Sequence, residues 1–433
     1  MGDVMKDLSE GLSAIKALGA VACECLITER VGLRIGWKGR VPSEPQQTTS
    51  RTVRVGAWTS DSSAGWAEGS GDVAKLGRKA LDATGAHAAG PVVMDWTLPK
   101  GLSIDDRRHA SLELADREDV LRSVYASVKD VDSGLVVDRM EWSEERVVRG
   151  FGSSSMPPQH EAGTVYRVSV QVTGSRDGER VTFSATHASR RFASLFSMPI
   201  GTRVARRVAN ALGEGVSVEP GPMRVMLGSA ATARLLACLG AGYANGELPG
   251  ALLGADGSGL ALDRRLHLID DGKLPGGLRT RAFDDQGVCP QAVMLWRNGQ
   301  VGARLVPYRG QMAKGDRPTG HATGTGLRVS NLTMRAGARS LNAIAIALGG
   351  RSIYIEDFQD IDSALDTSTG RFNGRVHGRL MEGNKVLGSV RNLRLQGQLS
   401  DVLTSVVDIA SDTDRIGAVD APGLVVDGFS VSR

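Results

Sequence analysis

The chain has 433 residues, with 52 Lys+Arg against 48 Asp+Glu, seven His, four Cys and 55 Gly. At roughly 100–200 residues per domain, that length fits two or three domains with ample core. A net charge of +4 is too dilute to imply nucleic acid or a membrane surface, and 4% aromatics argue against base-stacking platforms.

The 41% hydrophobic and 23% charged composition is that of a soluble globular protein. Lys supplies only ten of the basic residues, and the Arg excess reads as a genome-composition signature rather than a binding strategy. The N-terminus carries Asp3, Lys6, Asp7, Glu10 and Lys16, without the unbroken apolar stretch of a signal peptide. No run of about 18 apolar residues is present, so no membrane span is expected. Cys23, Cys25, Cys238 and Cys289 form no disulfide framework for a chain this large. The expectation is a reduced, cytoplasmic protein.

Val4, Leu8, Leu12, Ile15 and Leu18 recur every three or four residues and predict an opening helix ended by Gly19. Alternation through Cys25, Ile27, Val31, Leu33, Ile35 and Trp37 predicts strands with a break near Glu29 and Arg30. Residues 39–51, with Pro42 and Pro45, read as a loop; residues 59–72 read as a Ser- and Gly-rich turn or loop. Val53, Val55 and Ala57 alternate between them. Helices are predicted over 73–83 and 114–130, then strand character over 135–150. Residues 150–163 read as a loop.

Tyr166, Val168, Val170 and Val172 alternate, turn at Asp177-Gly178, and return through Val181, Phe183 and Ala185: a hairpin. A helix over about 201–213 closes the first half. Pro220 and Pro222 mark an expected domain boundary, with an N-terminal α+β domain over 1–221 and a mostly β domain over 222–433. In the second, a short strand at Arg224–Leu227 precedes a helix N-capped by Ser229 and running through Tyr243. Beyond it the chain is Gly-rich and strand-like, with helical stripes only at 339–348 and 398–410. No fixed-period repeat is visible.

Familiar chemistry is absent from this sequence. There is no HExxH, and His160-Glu161 has no second His within six positions, so a plain loop histidine is the simpler reading. His267 reads as a packing or surface residue, and so does His321, although a His beside Gly in a loop could touch a ligand. Cys23 and Cys25 have the wrong spacing for CxxC chemistry and share one strand face as a structural pair. Gly257-Ser258-Gly259 and Gly324-Thr325-Gly326 lack a third Gly. No P-loop or GxSxG is present, and Ser13–Lys16 matches SxxK by chance on the opening helix.

Five segments of the C-terminal half stand out: IDDGKLPGGLRTRAFDDQGV (269–288), RNGQVGARLVPY (297–308), PTGHATGTGLRVSNLTMRAG (318–337), GSVRNLRLQGQLSDVLTSVVDIASD (388–412) and PGLVVDGFSVSR (422–433). Together they resemble the TldD/PmbA (TldD/TldE) family of candidate gyrase modulators and metallopeptidases. The N-terminal half fits more loosely, through the opening helix and the strands at 31–37 and 52–57. The resemblance implies an N-terminal α/β domain with a curved sheet and helices, and a C-terminal, mostly antiparallel, barrel-like β domain.

In that family, TldD-type subunits carry HExxxH on a helix and a Cys near the C-terminus; these bind zinc and activate water. PmbA/TldE-type subunits lack them and pair with a TldD-type subunit. Here the motif's His positions fall at Ala237 and Gly242, its Glu position at Cys238, and residues 416–419 hold no Cys. Ala and Gly offer no donor atom, and one thiol makes no zinc site. Cys238 reads as a small buried helix residue.

The resemblance therefore implies a metal-free, PmbA/TldE-like member: the non-catalytic subunit of a heterodimeric zinc peptidase. Zinc would sit in an HExxxH-bearing partner, and an extended peptide would be the substrate. The chain would complete the chamber and set substrate access; nucleic acid and membrane are not expected partners. Two other readings stay open. One is a repurposed member acting on a peptide-like or amino-acid conjugate in natural-product biosynthesis, and the other is a non-enzymatic scaffold. Chamber candidates are Asp270, Asp271, Asp284, Asp285, Thr319, Gly320, His321 and Asn331. The carboxylate pairs suit acid/base chemistry, but turn chemistry around Gly276 and Gly277 is the plainer explanation.

Overall fold

Strand alternation decides which parts of this protein touch. The computed structural model describes residues 4–38, 41–87, 90–91, 99–309, 316–358 and 360–432. Its first sheet is antiparallel and built on long strands: β1 (Ala22–Lys38), β2 (Gln46–Trp58), β3 (Ser63–Gly69), β4 (Val136–Ser153), β5 (Met156–Arg176) and β6 (Glu179–Ser189). Their order is β3-β2-β1-β4-β5-β6. Helices α1 (Val4–Ala17), α2 (Val73–Asp82), α3 (Leu114–Val131) and α4 (Ile200–Ala211) accompany it.

Side chains two apart on a strand share a face. On β1, Cys23, Cys25 and Ile27 join Leu8, Leu12 and Ile15 of α1 and Leu76 of α2 in one apolar core. On β4 and β5, Met140, Trp142, Tyr166, Val168 and Val170 join Leu121 and Val124 of α3 and Val204 and Val208 of α4. The residues between them face the other way. Leu26 and Phe151 pack with Ala282, Phe283 and Val288 of the C-terminal half. One face of the sheet thus belongs to helices and the other to the second half of the chain.

The second half is organised around β7 (Gly221–Leu227), β8 (Leu268–Asp271), β9 (Ala292–Arg297), β10 (Leu332–Met334), β11 (Arg351–Ile355), β12 (Arg371–Glu382), β13 (Lys385–Gln398), β14 (Val406–Ile416) and β15 (Val419–Ser432). The run β9-β8-β10-β15-β13-β12-β11-β7 continues into a β7–β15 pairing. Strands β15, β13, β12, β11 and β7 therefore close a ring, the barrel-like element expected. One of its pairings, β7 with β11, is parallel, and so is the pairing of β10 onto β15 outside the ring.

Helix α5 (Ser229–Ala241) buries Leu235, Leu236 and Leu239 in the core that holds Val225, Leu227, Leu424 and Val426. Helix α6 (Leu341–Leu348) packs Ile344 and Ala345 with Met226 and Val425. Alternation along β7 and β15 again sends neighbours to opposite sides.

Several expected boundaries move. β1 is one unbroken strand, because Glu29 is buried but paired with Arg51 at 2.8 Å. Most of 39–51 is hairpin: β2 begins at Gln46, and Val41–Pro42 pair with the end of β1. The 59–72 loop contains β3, whose Trp66 meets Trp58 edge-on at 5.7 Å. The loop at 150–163 shrinks to a turn at Ser154-Ser155, which places His160 and Glu161 on β5. The 166–185 hairpin forms as expected, with Asp177 and Gly178 both at positive φ. Gly228, not Ser229, is the N-cap of α5. Within 398–410 the helix is only Leu399–Thr404, and β14 follows.

Candidate functional site

Helix α5 carries two of the three positions that the resemblance sets against HExxxH, and the third follows its last residue. Ala237 is exposed, Cys238 is 8% exposed, and Gly242 opens a tighter turn, Gly242–Asn245, after the helix ends. A Cβ on Gly242 would fall 2.8 Å from the Cβ of Pro249. Burial, then the neighbouring Asp362 carboxylate, pushes the Cys238 thiol up to about 11. A thiol held protonated is a poor ligand and a poor nucleophile. Among the described residues, no three His, Cys, Asp or Glu side chains converge as a metal-ligand set. The donors on α5 do not fit zinc.

The chamber candidates all lie near the junction of the two halves, in different settings. Asp270, on β8, is fully buried; both its oxygens accept from the Ser330 backbone N–H at 2.9 Å. His321 Nε2 approaches Asp270 Oδ2 at 3.2 Å, off the hydrogen-bonding direction, so neither ring nitrogen is hydrogen-bonded. Asp284 is buried in a turn, accepting from the N–H groups of Gln286, Val288 and Ala322 at 2.8–2.9 Å. Burial pushes its carboxyl up, against the pull of Arg281 and those N–H groups. Asp271 accepts from Lys273 N.

Asn331 accepts from Arg279 N and donates to Asp271 O and Thr280 Oγ1, which fastens the LPGG loop to β10. The Thr319 hydroxyl exchanges hydrogen bonds with the Val306 backbone. Gly320 sits at φ 73°, where a Cβ would strike Pro290. Apart from His321, whose ring is buried without a hydrogen bond, these residues hold loops together. Asp285 does more, because it faces open space.

Asp285 lines a cleft of about 500 Å³ between the first sheet and the 278–285 loop. The floor comes from alternate residues of β4 (Glu145, Val147, Arg149) and β5 (Glu161, Gly163, Val165, Arg167). Arg149 bridges the halves: it donates to Glu161 at 2.7 Å, Asp285 at 2.6 Å and the Phe283 carbonyl at 2.9 Å. Arg190 donates to the carbonyls of Gly277, Leu278 and Thr280. Outside the cleft's lining, Arg309 forks onto Glu24 of β1 at 2.6–2.7 Å.

None of these arginines stood out in the sequence. The odd-numbered charges of β4 and β5 were a signal, but nothing local says which face meets the second half.

The model of the PmbA/TldA metallopeptidase C-terminal domain matches residues 220–433. No curated protein matches the chain. Three solved structures share its fold over 99% of its length. A candidate modulator of a DNA gyrase from Thermotoga maritima is 16% identical, covered over 99%, with a TM-score of 0.84. A candidate modulator of DNA gyrase from Bacteroides thetaiotaomicron is 18% identical, covered over 98%, at 0.80. TldE from Thermococcus kodakarensis is 15% identical, covered over 100%, also at 0.80. At such identities the likeness is one of fold. With the matching C-terminal half and the common architecture, the chain belongs to the TldD/PmbA/TldE family.

Proposed function

We propose that this chain is the metal-free subunit of a TldD/PmbA-type peptidase, acting in the cytoplasm beside an HExxxH-bearing partner that holds the zinc. The observation that carries this reading is α5. Of the three positions that the resemblance sets against the motif, one offers a methyl group, one a buried protonated thiol, and one is a glycine with no room for a Cβ beside Pro249. No catalytic step is assigned to these residues. The chain's role is to complete a chamber and shape the entry of an extended peptide. The cleft beneath the 278–285 loop, with Asp285 on its wall, is the natural site for that contact.

Co-expression with an HExxxH relative tests it. An equimolar complex is expected, with zinc that stays with the partner when the two are separated. Failure to associate, or stoichiometric zinc in this chain alone, overturns the assignment.

A further inference from the structure

We propose that the cleft between the first sheet and the 278–285 loop binds the acidic side chains of an extended peptide. Seven guanidinium groups line it against three carboxylates, an excess as large as that of the whole chain. The carboxylates are already engaged. Glu161 and Asp285 pair with Arg149, Asp285 also lies 3.5 Å from Arg281, and Glu145 lies 3.7 Å from Arg30. Among the described residues, Arg167, Arg190, Arg279 and Arg328 have no carboxylate partner. Arg190 and Arg279 spend donors on backbone carbonyls, which leave their charge unneutralised. Burial pulls the Arg190 guanidinium down to about 10. Burial and neighbouring arginines pull Arg281 and Arg328 down as well. A bound carboxylate would relieve that repulsion through bidentate contacts.

The shape selects the occupant. Residues Glu161 to Arg167 of β5 run about 20 Å at ~3.3 Å per residue, the span of roughly six extended residues. A Cβ at Gly163 would come within 3.0 Å of Arg190 Nη1, so glycine leaves room for that guanidinium over the floor. Ile104, Val147, Val165 and Leu278 lie between the arginines, ready for apolar side chains that separate acidic ones. Among the described residues, no aromatic or histidine ring lines the cleft. Stacking, the usual hold on unpaired bases, is therefore missing.

The choice of a peptide rests on the chamber reading above; the anion preference rests on the cleft itself. Fluorescence anisotropy on the full chain, without a partner, separates the two. The probes are a labelled peptide alternating Glu with Val, its Gln counterpart, its Lys counterpart, and an oligothymidylate of similar length. The Glu peptide should bind at least about tenfold more tightly than the Gln peptide, and more weakly as salt rises. The double variant R167E/R328E alters two guanidiniums without ion-pair partners, so it should lose this preference while melting like the parent. Equal binding of the Glu and Gln peptides, or an unchanged preference in R167E/R328E, overturns the proposal. Tighter binding of the oligonucleotide overturns the choice of occupant. A chain that fails to pair with an HExxxH relative yet prefers the Glu peptide sinks the earlier reading and leaves this one standing.

Discussion

Gly242 lies so close to Pro249 that an added Cβ would fall 2.8 Å from the proline Cβ. Pro249 leads a tight turn, Gly250–Leu252, whose Leu252 is wholly buried. Overpacking there should be felt: Gly242→Ala is expected to cost about 1–3 kcal/mol. Pro249→Gly should recover part of that loss in the double variant, read as a coupling energy from urea melts. A Gly242→Ala protein that melts like the parent would show the contact to be slack. The triple change Ala237→His, Cys238→Glu, Gly242→His should gain no stoichiometric zinc by metal analysis.

Arg149 joins the sheet to the second half, holding Glu161 of β5 on one side and Asp285 on the other. Its side chain is 11% exposed, and those of Glu161 and Asp285 are 8% and 22% exposed. Removing it leaves two acids facing each other in a half-closed site, so Arg149→Met should cost about 3–5 kcal/mol. Arg149→Lys should recover little, since an ammonium cannot fork between both acids and the Phe283 carbonyl. A Lys variant with the parental urea midpoint would contradict this.

Asp270 and His321 share a sealed pocket in which the Ser330 N–H has one acceptor, the Asp270 carboxylate. Asp270→Ala orphans that donor and is expected to cost about 1–3 kcal/mol. Asp270→Asn keeps an acceptor oxygen and should lose less. Denaturation of both variants checks the order; equal losses would mean the Ser330 bond contributes nothing.

Alkaline pH should weaken the fold. Burial is the main cause that raises both Cys23 and Cys238 from 9.0 to about 11. Between those values the folded chain keeps protons that the unfolded chain has released. Their contribution is therefore complete below pH 9 and is lost as pH rises through about 11. Cys238→Ala should flatten the slope of stability against pH in that window. The parent should also label slowly with iodoacetamide at pH 8. Unchanged stability from pH 8 to 11 would contradict the buried-thiol picture.

Local periodicity was enough to find α1, α2, α3 and the 166–185 hairpin, whose apolar positions repeat at helical or strand spacing over whole elements. It failed where burial was satisfied by charge or small residues. Glu29 looked like a break, yet Arg51 neutralises it within β1. Residues 63–69 looked like a loop, yet their small side chains suit a strand: Ala64 is buried, and Gly65 lies so close to Ala80 of α2 that no Cβ would fit.

At the site, the LPGG turn was legible from its glycines, and the structure gives Asp284 and Asn331 the loop-fastening contacts such a turn needs. The cleft was not legible. Its arginines come from β1, β4, β5 and the segments 190, 279–281 and 328, which only tertiary folding brings together. In composition they were indistinguishable from the rest of an Arg-rich chain.

The most direct test of the central claim is peptide cleavage by this chain with and without an HExxxH-bearing relative, with zinc measured in each sample. The expected result is cleavage and stoichiometric zinc only when the relative is present. Zinc-dependent cleavage by this chain alone would contradict its assignment as the metal-free subunit.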